Sequence, residues 1–304
     1  MKKNKNPAES VSSKLVREIV TILGIRLDSI SVRGVLRFVA ISIVKKRKFY
    51  IVTPNPEIVM QSQGDSELKM ILNQADVSIP DGIGLSAAAK FLSQETPDNF
   101  FLRVSTLLLR GISIGLLIIF DQSSLTSRLP IIKGREMFTE FIRLGNKKGW
   151  KIFLIGDRQK SAQRARDILS ANYKNVKIFS GDGPNLNLDA KPVSSQDGEI
   201  EREVIAKINE IGPQMLFVGF GAPRQEKWIA KWLPKLNIGG AMVVGGAFDY
   251  IAGSVRLPPK WISEMGFEWL WRILTGSQKW NRIKVAVIDF PLKVFWTKLT
   301  SSFS

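Results

Sequence analysis

The chain is 304 residues long, 44% hydrophobic and 23% charged, with 44 Lys and Arg against 27 Asp and Glu for a net charge of +17. That length and apolar share accommodate one large packed α/β domain plus an appendage and exclude a disordered chain. Cysteine and histidine are both absent, which excludes disulfides, thiolate nucleophiles, Cys/His zinc sites and every Ser-His or Cys-His catalytic arrangement, so acid–base work falls to carboxylates, Lys or Tyr.

The excess charge asks for an anionic partner, for which nucleic acid, anionic lipid headgroups and nucleotide-sugar phosphates all qualify. It gathers at the ends: residues 1–50 hold twelve Lys and Arg against three acidic residues, and residues 254–304 hold eight against three. The lack of cysteine is compatible with a reducing, cytoplasmic setting. The basic start lacks the apolar region and small-residue cleavage site of a signal peptide, so no secretion is expected. Residues 1–12 read as a solvated arm, 20–28 as a first strand, and roughly 30–45 as a helix closed by Lys45-Lys-Arg-Lys48, since basic residues favour a helix carboxyl end. Phe49-Tyr-Ile-Val-Thr-Pro54 is a β-branched run stopped by proline. It leaves Thr53 and Asn55 at the strand's carboxyl end, the ligand edge of a parallel α/β sheet. Residues 57–74 read as helix with a break at Gly64, and Ala75-Asp-Val-Ser-Ile-Pro80 as a strand that delivers Asp81 to the same edge.

The stretch 99–120 is too apolar for a loop, and its Arg103, Thr106, Arg110 and Ser113 follow one narrow helical stripe. A central Arg110 disfavours a spanning helix by about 3 kcal/mol. The expectation is an interfacial helix lying in one leaflet with both arginines at the headgroups, against the alternative of a helix buried on the protein or a neighbouring subunit.

From Trp150 strands and helices alternate: strand 151–155 into Gly156-Asp157, helix 159–173, strand 176–179, helix 197–211, strand 215–220, helix 223–233, and strand 241–244 into Gly245-Gly246. The pattern predicts an α/β, Rossmann-like, mostly parallel sheet with helices on both faces. At the turn after strand 215–220, Gly219 and Gly221 leave no side chain above the backbone and Pro223 suits a first helical position. An anion is then expected at the helix start, within reach of Arg224-Gln225-Glu226-Lys227. A capped surface helix fits the same pattern, and Arg224 stands where a dinucleotide-binding turn has its third glycine. Past Gly253 the alternation ends. The chain divides into an α/β domain, 1–253 with an apolar insert at about 99–127, and a C-terminal helical appendage, 254–304. The segment 282–299 has the composition of a membrane-surface element or of a lid.

Thr53-Pro-Asn-Pro-Glu57, Pro80-Asp-Gly-Ile-Gly84, Gly219-Phe-Gly-Ala-Pro-Arg-Gln-Glu-Lys-Trp228 and Val244-Gly-Gly-Ala-Phe-Asp-Tyr-Ile-Ala-Gly253 together resemble the WecG/TagA/CpsF glycosyltransferases, glycosyltransferase family 26. The resemblance covers about residues 20–98 and 130–282, and Arg256…Pro259-Lys-Trp261 with Glu268-Trp-Leu-Trp-Arg272 resembles the family's C-terminal appendage. It implies inverting transfer of an N-acetylmannosamine-type sugar from a UDP donor to a lipid-diphosphate-linked N-acetylglucosamine, by a cytoplasmic protein peripheral on the inner membrane face. Asp81 matches the family's proposed base, Gln225 falls at the donor phosphates, and Thr53 and Asn55 fall beside the base. The residues agree with such chemistry: one carboxylate suffices to take the acceptor proton, and donors must hold the leaving UDP. With no Asp-x-Asp motif, the expectation is neither cofactor nor metal. The helix start at Pro223 and Arg256 and Arg272 would meet the leaving charge.

Two departures stand out: Ile131 occupies a place where many members carry Arg, for which Arg128 or Arg135 are the substitutes at hand, and 99–120 is an insert. Plainer readings remain open, with Asp81 as a helix cap, Asp249 as structural, Arg256 and Arg272 as surface ion-pair partners, and Gly156-Asp157 as an ordinary turn. The rival functions are a nucleotide-binding oxidoreductase and a basic nucleic-acid-binding module. The charge lies beside apolar stretches rather than among exposed aromatics, so an anionic membrane surface is expected and nucleic acid is not. A homo-oligomer is compatible with all of this.

Overall fold

Leu23 and Gly24 take positive φ of +49° and +77°, the conformation of a two-residue hairpin turn. They fold the segment expected as one strand into two, β1 (Glu18–Ile22) and β2 (Ile25–Ser29), paired antiparallel. The structure is a computed structural model and describes residues 17–156, 160–259, 262, 268–276 and 280–301. After the hairpin come α1 (Val32–Val44), β3 (Phe49–Val52), α2 (Pro56–Gln61), α3 (Ser66–Gln74), β4 (Val77–Ser78) and α4 (Ile83–Ser93). The break expected at Gly64 in the helical stretch 57–74 separates α2 from α3, which Asp65 caps by accepting the Leu68 N–H at 2.9 Å. Next, α5 (Phe100–Phe120), α6 (Gln122–Thr126) and α7 (Gly134–Lys148) cross to a second half. There β5 (Lys151–Gly156), α8 (Ser161–Asn172), β6 (Lys177–Asp182), α9 (Ser195–Ile211), β7 (Met215–Gly219), α10 (Arg224–Trp232), β8 (Gly240–Val243) and α11 (Ala247–Ile251) alternate.

Strands β3 to β8 form one parallel sheet in the order β4-β3-β8-β7-β5-β6. They read as continuous apolar runs because alternate residues serve two helical layers. Val52, Ile155 and Val218 pack with α2, α3, α4, α9 and α10, whereas Ile51, Leu154 and Phe217 pack with α1, α7 and α8. This is the α/β Rossmann-like arrangement expected. The first half steps outward to β4, the second steps outward to β6, and β7 and β8 return beside β3. The carboxyl ends of β3, β4, β7 and β8 therefore meet at one crevice. The edge strand β4 is covered by the hairpin, whose buried Asp28 accepts the Ser78 N–H at 2.8 Å and pairs with Arg17 at 3.0 Å.

Past Gly253 the described elements are α12 (Glu268–Leu274), α13 (Trp280–Lys284), a π-helical turn at Val285–Asp289 and α14 (Phe290–Thr300). Phe290, Val294 and Leu299 of α14 are buried in the same core as α4, Phe295 meets Phe91 at 6.3 Å, and Lys298 Nζ donates to the Leu92 carbonyl at 2.8 Å. Beside α4 and α14 lies α5, with the two arginines of its polar stripe turned toward the protein and Ser113 exposed. Arg103 is buried and donates from Nε to the Pro97 carbonyl at 2.9 Å, while Arg110 donates to the Glu95 carbonyl. The expectation that both arginines sit at headgroups is thereby corrected, because these carbonyls draw them to the protein side. Leu107 and Ile114 are buried beside the arginines, whereas Phe101, Leu109, Ile112 and Phe120 face out, with Phe101 80% and Phe120 79% exposed.

Candidate active site

The crevice holds a cleft of about 310 Å³. Thr53, Asn55 and Asp81 line it from the first half of the sheet, Gly221, Gln225, Gly245 and Gly246 from the second, Lys133, Gly134 and Arg135 from the start of α7, Asp249 and Tyr250 from α11, and Arg282 from α13. Gly82, not Asp81, occupies the cap position of α4. The Asp81 carboxylate instead accepts the Gly134 N–H at 3.2 Å, at the positive end of α7. The Ile132 N–H donates to the Pro80 carbonyl at 3.2 Å and so draws the start of α7 against this loop. A Cβ on Gly134 would stand 3.4 Å from both Asp81 Oδ2 and Thr53 Oγ1, so glycine there leaves room for both side chains at the start of α7. Asn55 lines the cleft and also holds the fold, since its Oδ1 caps α2 by accepting the Ile58 N–H at 2.9 Å.

Across the cleft, one side chain joins two turns. Gln225 Oε1 accepts the Gly221 N–H at 3.2 Å and the Gly245 N–H at 3.1 Å, and its Nε2 donates to Glu226 Oε1 at 2.9 Å. Gly221 sits at φ +74°, where a side chain would be strained. Gly219 serves a different need: a Cβ there would lie 2.8 Å from the Phe248 ring, so β7 can approach α11 only with glycine.

The four polar side chains expected to reach an anion divide. Gln225 reaches the cleft wall. Glu226 is buried, its Oε2 has no hydrogen-bond partner, and burial pushes its carboxyl up to about 7. Lys227, also buried, pairs with Asp65 at 2.7 Å and Glu67 at 3.1 Å, joining α10 to α3. Arg224 donates to the Leu186 carbonyl at 3.5 Å. Pro223 caps α10 rather than opening it. Gly156 ends β5, where a Cβ would stand 2.9 Å from that of Ala162; Asp157 lies outside the described residues.

The cations also sort differently from expectation. Arg256 is exposed, and its carbonyl accepts the Trp271 indole N–H at 3.3 Å. Arg272 belongs to α12, but its side chain lies outside the described residues. Arg282, which sequence reasoning took as the start of a membrane-surface segment or lid, lines the cleft and donates from Nε to Glu57 Oε1 at 2.6 Å. No local spacing connects two residues 225 apart, so only the tertiary placement of α13 reveals it. Of the two substitutes for the arginine replaced by Ile131, Arg128 pairs with Glu18 on the hairpin at 3.3 Å, whereas Arg135 lines the cleft with its guanidinium 5.4 Å from the Tyr250 ring. Asp249 accepts from Ser161 at the start of α8. Among the described residues no group of three or more acidic side chains could hold a metal ion. The arrangement offers a carboxylate to deprotonate a hydroxyl, and guanidinium and ammonium groups to hold an anionic leaving group.

A family model described as "Glycosyl transferase WecG/TagA/CpsF family" matches residues 20–109 and 98–304. Two similar proteins are each named N-acetylglucosaminyldiphosphoundecaprenol N-acetyl-beta-D-mannosaminyltransferase. That of Bacillus subtilis (strain 168) is 26% identical over 235 residues, covering 77% of this chain and 74% of its own. That of Staphylococcus aureus (strain NCTC 8325) is 24% identical over 267 residues, covering 87% and 88%.

Proposed function

Because the chain belongs to the WecG/TagA/CpsF family of glycosyltransferases, we propose that it moves an N-acetylmannosamine-type sugar, with inversion, from UDP to an N-acetylglucosamine carried on a lipid diphosphate. The relatives' names supply the sugar and the lipid-linked acceptor. The observation that carries the reading is Asp81, held by the Gly134 N–H in a cleft whose opposite wall is the clamped pair of glycine turns.

In this reading the Asp81 carboxylate takes the proton of the acceptor hydroxyl as its oxygen bonds to the anomeric carbon. The bond from that carbon to the diphosphate oxygen breaks on the far side, and UDP leaves with the electron pair. Arg282, Arg135 and Lys133 lie in the cleft and meet the departing charge in place of a divalent ion. Gln225 acts by shaping the two turns, which keeps their backbone close to the diphosphate. The protein works from the cytoplasmic side, peripheral on the membrane that holds its acceptor. Release of UDP from a panel of UDP-sugars, with and without a lipid-diphosphate N-acetylglucosamine, tests the reading. Acceptor-dependent release from UDP-N-acetylmannosamine supports it, and release from another donor alone, or equal release without acceptor, overturns it.

A further inference from the structure

The insert helix α5 presents to water a face that a soluble monomer has no use for. Phe101, Leu109, Ile112 and Phe120 are each more than 60% exposed, and the helix contains no acidic residue. On its neighbour α14, Leu292, Lys293 and Trp296 point outward together, as residues one helical turn apart must. Contiguous apolar surface of this kind marks a binding face.

We propose that α5 lies in the plane of an anionic bilayer, its outward face immersed in the cytoplasmic leaflet beside Trp296, with its arginines serving as struts to the protein. This deepens the reading that the acceptor is lipid-linked. Three observations favour lipid as the occupant. The first is charge: residues 280–304 carry four basic residues and one acidic residue, Asp289, which is already paired with Lys284 at 3.4 Å. Lys293 beside Trp296 is exposed, the pairing of cation and aromatic that suits a headgroup layer. The second is aromatic placement, with Phe100 and Phe101 at one end of α5 and Phe120 at the other, all exposed.

The third is continuity with the cleft. The chain runs from Arg282 in the cleft through the π-helical turn, whose Val287 and Ile288 are exposed, into α14, which packs against α5. A lipid diphosphate whose chain stays in the leaflet would thus enter the cleft along Arg282. Length and composition would let α5 span a membrane. Crossing would detach Arg103 from the Pro97 and Leu299 carbonyls and Arg110 from that of Glu95, and would strip Leu107 and Ile114 from their buried contacts. The in-plane arrangement keeps all of them.

The chain has no cysteine, so a single cysteine carrying an environment-sensitive fluorophore can be placed at Ile112, and a control at Ile168, an exposed apolar residue of α8 on the other face of the sheet. With vesicles of phosphatidylglycerol and phosphatidylcholine, the probe at 112 should blue-shift and be quenched by brominated lipid, while the probe at 168 should not change. Pure phosphatidylcholine should give a weaker response. A probe at 112 that ignores vesicles overturns the proposal. So does one already shifted without lipid in a protein whose sedimented mass doubles with concentration, since a second copy would then cover the face. The pair L109Q and I112Q should lower vesicle flotation about tenfold and leave turnover on a water-soluble, short-chain N-acetylglucosamine diphosphate unchanged. Loss of that turnover in the unmodified protein would overturn the proposed reaction, while the probe at 112 would still decide the membrane surface.

Discussion

Asp81 and Gly134 lie 53 residues apart, yet Oδ2 of the first accepts the backbone N–H of the second at 3.2 Å. The carboxylate is aimed by the start of a helix that follows it only after α4, α5 and α6. Asp81→Glu lengthens the side chain by one methylene and carries the carboxylate off that N–H. It should bind UDP as the unmodified protein does and turn over at least about tenfold more slowly, the scale of a misplaced reacting group. UDP release and calorimetric titration measure the two quantities. Equal turnover would mean that the Gly134 contact does not position the carboxylate.

Arg282 reaches the cleft from the C-terminal segment and is held by Glu57. If it stabilises the departing diphosphate, Arg282→Ala should lower kcat by about 10²-fold, comparable to removing one oxyanion donor. Arg128→Ala, on the hairpin side, should leave kcat unchanged. Similar kcat values for the two variants would remove Arg282 from the reaction.

Burial lifts the Glu226 carboxyl from 4.5 to about 7. Between those values the unfolded chain has released this proton while the folded chain retains it. The folded state thus binds more protons, and stability falls as pH rises through that window. The loss approaches about 3 kcal/mol above pH 7. Glu226→Gln keeps an acceptor for the Gln225 amide and has nothing to ionise, so its denaturant midpoint at pH 8 should exceed that of the unmodified protein, with the two converging near pH 4. Parallel pH profiles would show that Glu226 ionises normally in the fold.

Turnover should survive exhaustive chelation by EDTA, because cleft cations are proposed to meet the leaving charge. Activity that disappears with the chelator and returns with Mg²⁺ or Mn²⁺ would assign that role to an ion.

The sheet was legible because strands buried on both faces read as unbroken apolar runs ending in glycine or proline, and the motifs placed Thr53, Asn55, Asp81, Gly221 and Gln225 at one edge, where all five line the cleft. The hairpin was not legible, because Leu23 at positive φ carries no turn signature and the apolar pattern runs straight through it. The stripe on α5 was found by its period, but period does not say which side faces the protein; the carbonyls of Pro97, Glu95 and Leu299 decide that. Glu226 and Lys227 looked like ligand contacts because charged residues at a helix start are usually exposed. Here Asp65, the cap of α3, and Glu67 in its first turn cover Lys227 and balance its charge, an arrangement visible only once α3 and α10 are side by side.

The account rests most heavily on Asp81 as the group that takes the acceptor proton. Asp81→Asn keeps the size and the acceptor for the Gly134 N–H but removes the basicity. Single-turnover transfer to a lipid-diphosphate N-acetylglucosamine, measured beside UDP affinity, should fall by about 10²–10⁴ with affinity nearly unchanged. Transfer at the unmodified rate would contradict the assignment.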